Sequence, residues 1–306
     1  MINGIISVIV IFLIFSVGFW FGFRKTWPAS TPSVLSFLVV RVAAPALAII
    51  SISDRFTREL LRASAVNLLI LLLYTVLLFL TGKVLSKILR LEEAKKTVFE
   101  VTFTFSNTIF IGLPINEIVF GSDGLPYLFT FYIITLAGFW SLGAYELAKA
   151  SPLHTDGFSL KKILSPGLVG VLISGALVEL DLSIPLALDS ALRYLGNLTV
   201  PLSLLVIGAN LVVFADGIPK ITKDEVIILI GKFMISPLYM FVLLHLFHVD
   251  GLAFRVFMLT AAMPCHMQTS ILAEYYKVEG PYASKLVSLS TLVCLITIPI
   301  YVTLLQ

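Results

Sequence analysis

SNTIFIGLP, Ser106 to Pro114, stands in the middle of an apolar run long enough to cross a membrane. In water, Ser, Asn and Thr followed by Gly and Pro would mark a loop. In hydrocarbon, backbone that leaves the helix is tolerated only where protein or a water-filled cavity surrounds it. The segment therefore predicts a helix broken at mid-membrane, provided that the chain is a membrane protein.

Composition meets that condition. Of 306 residues, 58% are hydrophobic and 13% charged, and the mean hydropathy is +1.03, whereas a soluble domain carries about 25% charge. The chain reads as an all-α polytopic protein whose surroundings are the lipid bilayer, and no nucleic-acid partner is expected. Cys265 and Cys294 fall in apolar segments without metal-ligand spacing, so no disulfide framework, metal site or cofactor is indicated.

Ten spans of about 20 residues are expected at 2–23, 33–52, 64–82, 97–120, 125–147, 163–180, 193–214, 224–247, 252–276 and 282–305. The breaks between them carry Pro, Gly or charge. No basic residue precedes the first span and Arg24 and Lys25 follow it, which reads as a retained helix rather than a cleaved signal. Connections on the N-terminal side hold five cations, Arg55, Arg58, Arg62, Arg193 and Arg255, against fourteen on the other side. By the positive-inside rule both termini are extracytoplasmic and the loop at 148–162 is cytoplasmic. The expected location is the cell membrane, crossed many times.

Five spans precede that loop and five follow it, and the halves match. VRVAAPALAI around Pro45 corresponds to GNLTVPLSLLVI around Pro201, and Ser106-Asn107 corresponds to Pro264-Cys265 in MPCHMQTS. The near-constant offset, about half the chain, indicates internal duplication. Because five is odd, the second copy enters the membrane inverted. Inverted repeats with interrupted helices at matching positions point to a secondary transporter with its site near the midplane. Each break would expose a half-helix N-terminus with positive partial charge, which suits an anion. Asn107, Thr108, Gln268 and Thr269 are expected to satisfy the freed backbone groups.

At these residues the chain resembles the auxin efflux carrier family, which includes bacterial organic-acid permeases and the plant PIN auxin exporters. The resemblance rests on SNTIFIGLP, on MPCHMQTSILAEYY (Met263 to Tyr276), on STLVCLITIP (Ser290 to Pro299) and on VPLSLLVIGANL (Val200 to Leu211), and it covers essentially the whole chain. It implies a bile acid/sodium symporter-like, NhaA-like elevator fold of ten helices: a first repeat over 1–150, a linker over 151–162 and a second repeat over 163–306. Spans 1, 2, 6 and 7 would form a scaffold. Spans 3–5 and 8–10 would form a transport domain in which broken spans 4 and 9 cross. The resemblance also implies a homodimer joined through scaffolds and a small carboxylate substrate, such as malate or malonate in prokaryotes and indole-3-acetate in plants. The long hydrophilic loop of the plant exporters is missing here, and Ser106-Asn107 stands where they carry Pro-Asn. Both departures argue against an auxin-specific reading.

A charge within a span costs about 2.5–3.5 kcal/mol on insertion scales, so two cations need a reason. Lys232, eight residues into the eighth span, reads either as a fixed cation at the crossing, alone or paired with a protonatable carboxylate, or as a structural partner of span three or four. Arg41, four residues before Pro45, reads as a bidentate clamp for a carboxylate or as a residue held by a buried structural partner. His266 follows the second break and titrates near neutrality; it reads as a substrate or proton ligand, or as a packing residue. Glu100, Glu146 and Glu179 are expected at the interface, and Glu274 at the cytoplasmic end.

The expected substrate-binding set is Ser106, Asn107, Thr108, Pro264, Cys265, His266, Gln268 and Arg41, with Lys232 as the coupling or fixed cation. The function expected is secondary active, elevator-type movement of a small mono- or dicarboxylate. The alternative is a passive channel or an ion/proton antiporter of related fold. Enzymatic readings lack their motifs: the sequence holds no His-Glu-x-x-His, no paired nucleophile and base, and no GxxxxGK[ST] phosphate loop.

Overall fold

The computed structural model of the protein describes residues 2–28, 30–55, 57–152, 166–215, 217 and 220–305. Most of the expected linker and residues 163–165 lie outside them. Among the described residues the regular structure is helical, apart from one isolated bridge between Ser106 and Cys265. In chain order the helices are α1 (Ile2–Phe23), α2 (Thr31–Arg55), α3 (Arg58–Ile88), α4 (Glu93–Thr104), α5 (Thr108–Phe120), α6 (Ser122–Lys149), α7 (Pro166–Leu180), α8 (Leu186–Asn210), α9 (Lys223–Leu246), α10 (Gly251–Ala261), α11 (Met267–Tyr275) and α12 (Gly280–Leu304). Six are long and apolar enough to cross a membrane: α2, α6, α8, α9, α12 and the Ala65–Ile88 part of α3. The expected fourth and ninth spans each appear as two shorter helices, α4 with α5 and α10 with α11.

Local chemistry explains the ends. Pro32, Pro126 and Pro281 occupy first turns, where their missing N–H costs nothing. Thr222 and Glu225 form a reciprocal capping box that opens α9. Gly121, at φ +69°, stops α5 in a conformation that side chains disfavour.

Three helices widen at a fixed distance before a proline. The π-helical turns Val39–Ala43, Thr108–Gly112 and Gly231–Ile235 each end two residues before Pro45, Pro114 and Pro237. Proline offers no N–H and its ring presses on the carbonyl four residues back; a turn with one extra residue relieves both problems. The carbonyl that Pro237 leaves free, Phe233 O, accepts instead from the Tyr301 hydroxyl at 2.7 Å. Pro201 is accommodated differently: α8 has a turn at 197–198, between Leu186–Gly196 and Thr199–Asn210. Arg41 and Lys232, the two cations that the sequence places inside spans, both sit in π-turns.

Packing sorts the helices into two sets. α1 lies along α8 so closely that a Cβ on Gly208 would come within 1.9 Å of the Phe15 carbonyl oxygen. α2 packs on α7 and α8. The largest buried apolar cluster draws its members only from residues 70–148 and 228–287, with none from α1, α2, α7 or α8. A second cluster joins the sets through Ile11, Phe15 and Ile207 on one side and Phe110, Ile111 and Cys294 on the other.

Several expectations need correction. Arg193 is not in a connection but inside α8, where it pairs with Asp189 at 2.8 Å and with Asp54 of α2 at 2.9 Å. The helix extends back to Leu186 because Asp189 and Arg193, four apart, support it. Arg255 likewise lies within α10. Glu100 is buried rather than interfacial, and it accepts a hydrogen bond from the Ser86 hydroxyl at 2.6 Å. Glu146 is partly buried against Lys83 at 3.0 Å, and Glu274 is exposed.

Candidate substrate site at the helix crossing

The interruptions at 105–107 and 262–266 lie against each other. The Asn107 N–H donates to the Pro264 carbonyl at 2.8 Å, and the His266 N–H donates to the Phe105 carbonyl at 3.1 Å. This is a single antiparallel bridge, Ser106 to Cys265, between two chains that are helical on either side. Each break supplies the main-chain partners that the other lost.

Lys232 is fully buried beside this bridge. Its ammonium donates to the Phe105 carbonyl at 2.8 Å and to the Ser106 hydroxyl oxygen at 3.3 Å. The Phe105 carbonyl lies at the C-terminal end of α4, where the helix dipole favours a cation. Among the described residues no carboxylate lies within 4.0 Å of this ammonium, so the protonatable partner considered for it is not found there.

Ser236, one turn further along α9, performs the same service for the other broken helix. Its hydroxyl donates to the Ala261 carbonyl at 2.6 Å, at the end of α10. Because that proton is committed, the Tyr74 hydroxyl must be the donor in its 2.5 Å contact with Ser236. One face of α9 thus ties down the C-terminal ends of both interrupted helices. The sequence reading did not include Tyr74 or Ser236, and spacing was the available signal: Ser236 is four residues from Lys232 and precedes Pro237.

The remaining expected residues divide. Asn107 caps α5, its side-chain oxygen accepting from the Phe110 N–H at 3.1 Å, while its Nδ2 is buried with no partner. The Cys265 N–H donates to the Ser290 hydroxyl oxygen at 3.1 Å, a role missed for Ser290 although the motif containing it was noticed. Thr108, Gln268 and Thr269 do not satisfy the broken backbone with their side chains. Thr108 Oγ1, Gln268 Oε1 and Thr269 Oγ1 are themselves buried and unpartnered, as is His266 Nδ1. The His266 ring stacks on Phe139, with centroids 4.5 Å apart. The crossing therefore gathers five orphaned polar atoms, two helix N-termini (Thr108 and Met267) and one ammonium.

Two cavities adjoin it. A small one of about 30 Å³ is lined by Asn107, His266, Gln268, Phe110 and Met267, among others. A larger one of about 520 Å³ shares Val40, Phe110, Met267 and Gln268 with it. The larger cavity reaches the end of the molecule formed by the starts of α2 and α12 and the end of α8, and it is lined by hydroxyls of Ser33, Ser36, Ser284, Ser288 and Thr291. Among the described residues Arg41 is its one charged lining residue, and no carboxylate lies within 4.0 Å of the guanidinium. Arg41 is thus in the wall of the outer cavity, apart from the residues at the bridge, and among the described residues it is in no ion pair.

A family profile described as "Membrane transport protein" matches residues 3–155 and 153–302. An uncharacterized transporter of Methanocaldococcus jannaschii is 25% identical over 308 residues, covering 96% of each chain. An uncharacterized transporter of Methanothermobacter thermautotrophicus is 26% identical over 276 residues, covering 88% of this chain and 87% of that one.

Proposed function

The chain belongs to the membrane transport protein family, that of the auxin efflux carriers, and from that premise we propose that it is a secondary active transporter of a small organic anion, a mono- or dicarboxylate. The carrying observation is the bridge between the two breaks, with a fully buried ammonium beside it and no carboxylate within 4.0 Å among the described residues. Two helix N-termini and a cation in low dielectric make the crossing electropositive, and an anion is the ligand that relieves it. Lys232 supplies the fixed positive charge, which makes a bound sodium ion unnecessary.

The substrate enters the 520 Å³ cavity, whose size suits a small molecule. Arg41 meets its carboxylate there, and Gln268 stands where that cavity adjoins the inner one. The inner cavity, at 30 Å³, takes about one water, so Phe110 and Met267 must part before the carboxylate reaches Asn107 Nδ2. The two packing sets support alternating access: α1, α2, α7 and α8 act as a scaffold through which two copies join, and the remaining helices move past it as an elevator.

Uptake into proteoliposomes of a panel of mono- and dicarboxylates, under imposed proton or sodium gradients, tests this reading. Saturable uptake of one carboxylate that a sodium gradient does not drive is the expected result. Uptake of no anion overturns it, and gradient-independent leakage of many solutes overturns it in favour of a channel.

A further inference from the structure

A further cavity of about 440 Å³ lies away from the crossing, between the ends of α3, α4 and α6. Its lining holds four lysines, Lys83, Lys87, Lys96 and Lys149, and three glutamates, Glu93, Glu100 and Glu146. The carboxylates are already engaged. Glu146 pairs with Lys83 at 3.0 Å, Glu93 pairs with Lys96 at 2.8 Å, and Glu100 accepts from Ser86 at 2.6 Å. The bond from Lys96 holds the Glu93 carboxyl below its ordinary range. Lys87 and Lys149 are exposed and have no carboxylate within 4.0 Å among the described residues. Two ammonium groups on different helices thus flank a cavity in which Glu93 and Glu146 are paired with other lysines and Glu100 is held by Ser86, with Lys149 acting on Glu93 only at longer range.

The surface beside the cavity is apolar. Leu73, Leu77, Leu80, Val84 and Ile88 of α3 are all exposed at helical spacing, a stripe that leads along the helix to Lys87. A phospholipid fits both features at once, with its acyl chain along the stripe and its phosphate between the lysines. A free phosphate would use only the second.

We propose that the cavity between α3, α4 and α6 binds the phosphate headgroup of an anionic phospholipid through Lys87 and Lys149, with the acyl chains on the exposed face of α3. Basic pockets between membrane helices recognise anionic headgroups by this combination of charge and depth. The site stands independently of the substrate reading, since none of its residues lines the crossing.

Native mass spectrometry of the full chain, released from vesicles containing phosphatidylglycerol and phosphatidylcholine in equal amounts, tests the proposal. Wild type should retain phosphatidylglycerol selectively, and Lys87→Gln/Lys149→Gln should retain at least fivefold less. Lys220→Gln/Lys277→Gln, which removes the same charge from two exposed residues elsewhere, should retain as much as wild type. Lys87→Arg/Lys149→Arg should restore retention, which separates loss of charge from loss of fold. Equal retention by wild type and the Gln pair overturns the proposal. Complete displacement of the lipid by 10-fold excess inorganic phosphate also overturns it, because the cavity would then be a site for the free ion.

Discussion

At the residue scale, Asn107 and Lys232 carry separable predictions. Asn107 caps α5 with one end of its amide and leaves the other unpartnered. Asn107→Ala should cost about 0.5–2 kcal/mol through the lost cap, and it should lower carboxylate uptake at least tenfold in protein that remains monodisperse. Near-normal uptake at equal reconstitution would move recognition to another group. Lys232→Gln should abolish uptake, while replacing sodium by choline should leave the wild-type rate unchanged. A steep dependence of the wild-type rate on sodium would remove the fixed-cation role. Both residues were legible in the sequence for a physical reason: an amide and an ammonium are costly in hydrocarbon and so stand out. What Lys232 touches was not legible, because its acceptors are a main-chain carbonyl and a hydroxyl 126 residues away or more. Glu117 was missed altogether, although a carboxylate inside the expected fourth span carries the same cost; it is partly buried in α5, and its Oε2 is buried and unpartnered.

At the scale of elements, the close contacts sit where glycine permits them. A Cβ at Gly208 would meet Phe15 O at 1.9 Å, which is main chain and cannot swing aside. A Cβ at Gly231 would meet the Phe103 ring at 2.2 Å, directly before Lys232. Gly208→Ala should destabilise the α1–α8 contact by about 1–3 kcal/mol, read as a lower midpoint of thermal unfolding in detergent. Gly231→Ala should lower uptake as well as stability, because the turn it displaces carries the ammonium. An unchanged melting midpoint in Gly208→Ala would mean that the two helices separate freely. Apolar length made most helices visible in advance, and the serine–asparagine–threonine cluster made the break after α4 visible. The widened turns were not, since the sequence shows the prolines that cause them but not whether the chain answers with a π-turn, as before Pro45, or with the turn at 197–198, as before Pro201.

For the whole molecule, the two packing sets predict which tethers matter. A cysteine pair replacing Lys95 and Tyr282, where the ammonium lies 4.7 Å from the ring centroid inside one set, should tolerate cross-linking with little loss of uptake. A pair replacing Ile111 and Ile207, which share a buried cluster across the two sets, should stop uptake when bridged by a short bifunctional reagent and regain it on reduction. Equal sensitivity of both pairs would rule out movement of one set past the other. The matched prolines and the two breaks were readable in the sequence. The way in which the breaks complete each other was not, because it consists of main-chain bonds, which leave no trace in residue identity.

Those bonds also set a schedule. Asn107 and Pro264 are joined in the finished protein, yet a ribosome adding about 5–20 residues per second needs on the order of 8–30 s to pass from one to the other. Throughout that interval the first interrupted helix is in or near the bilayer with its carbonyl and amide groups unanswered. Its insertion must therefore be held open, by the translocation machinery or by neighbouring helices, until the second half of the chain has been made.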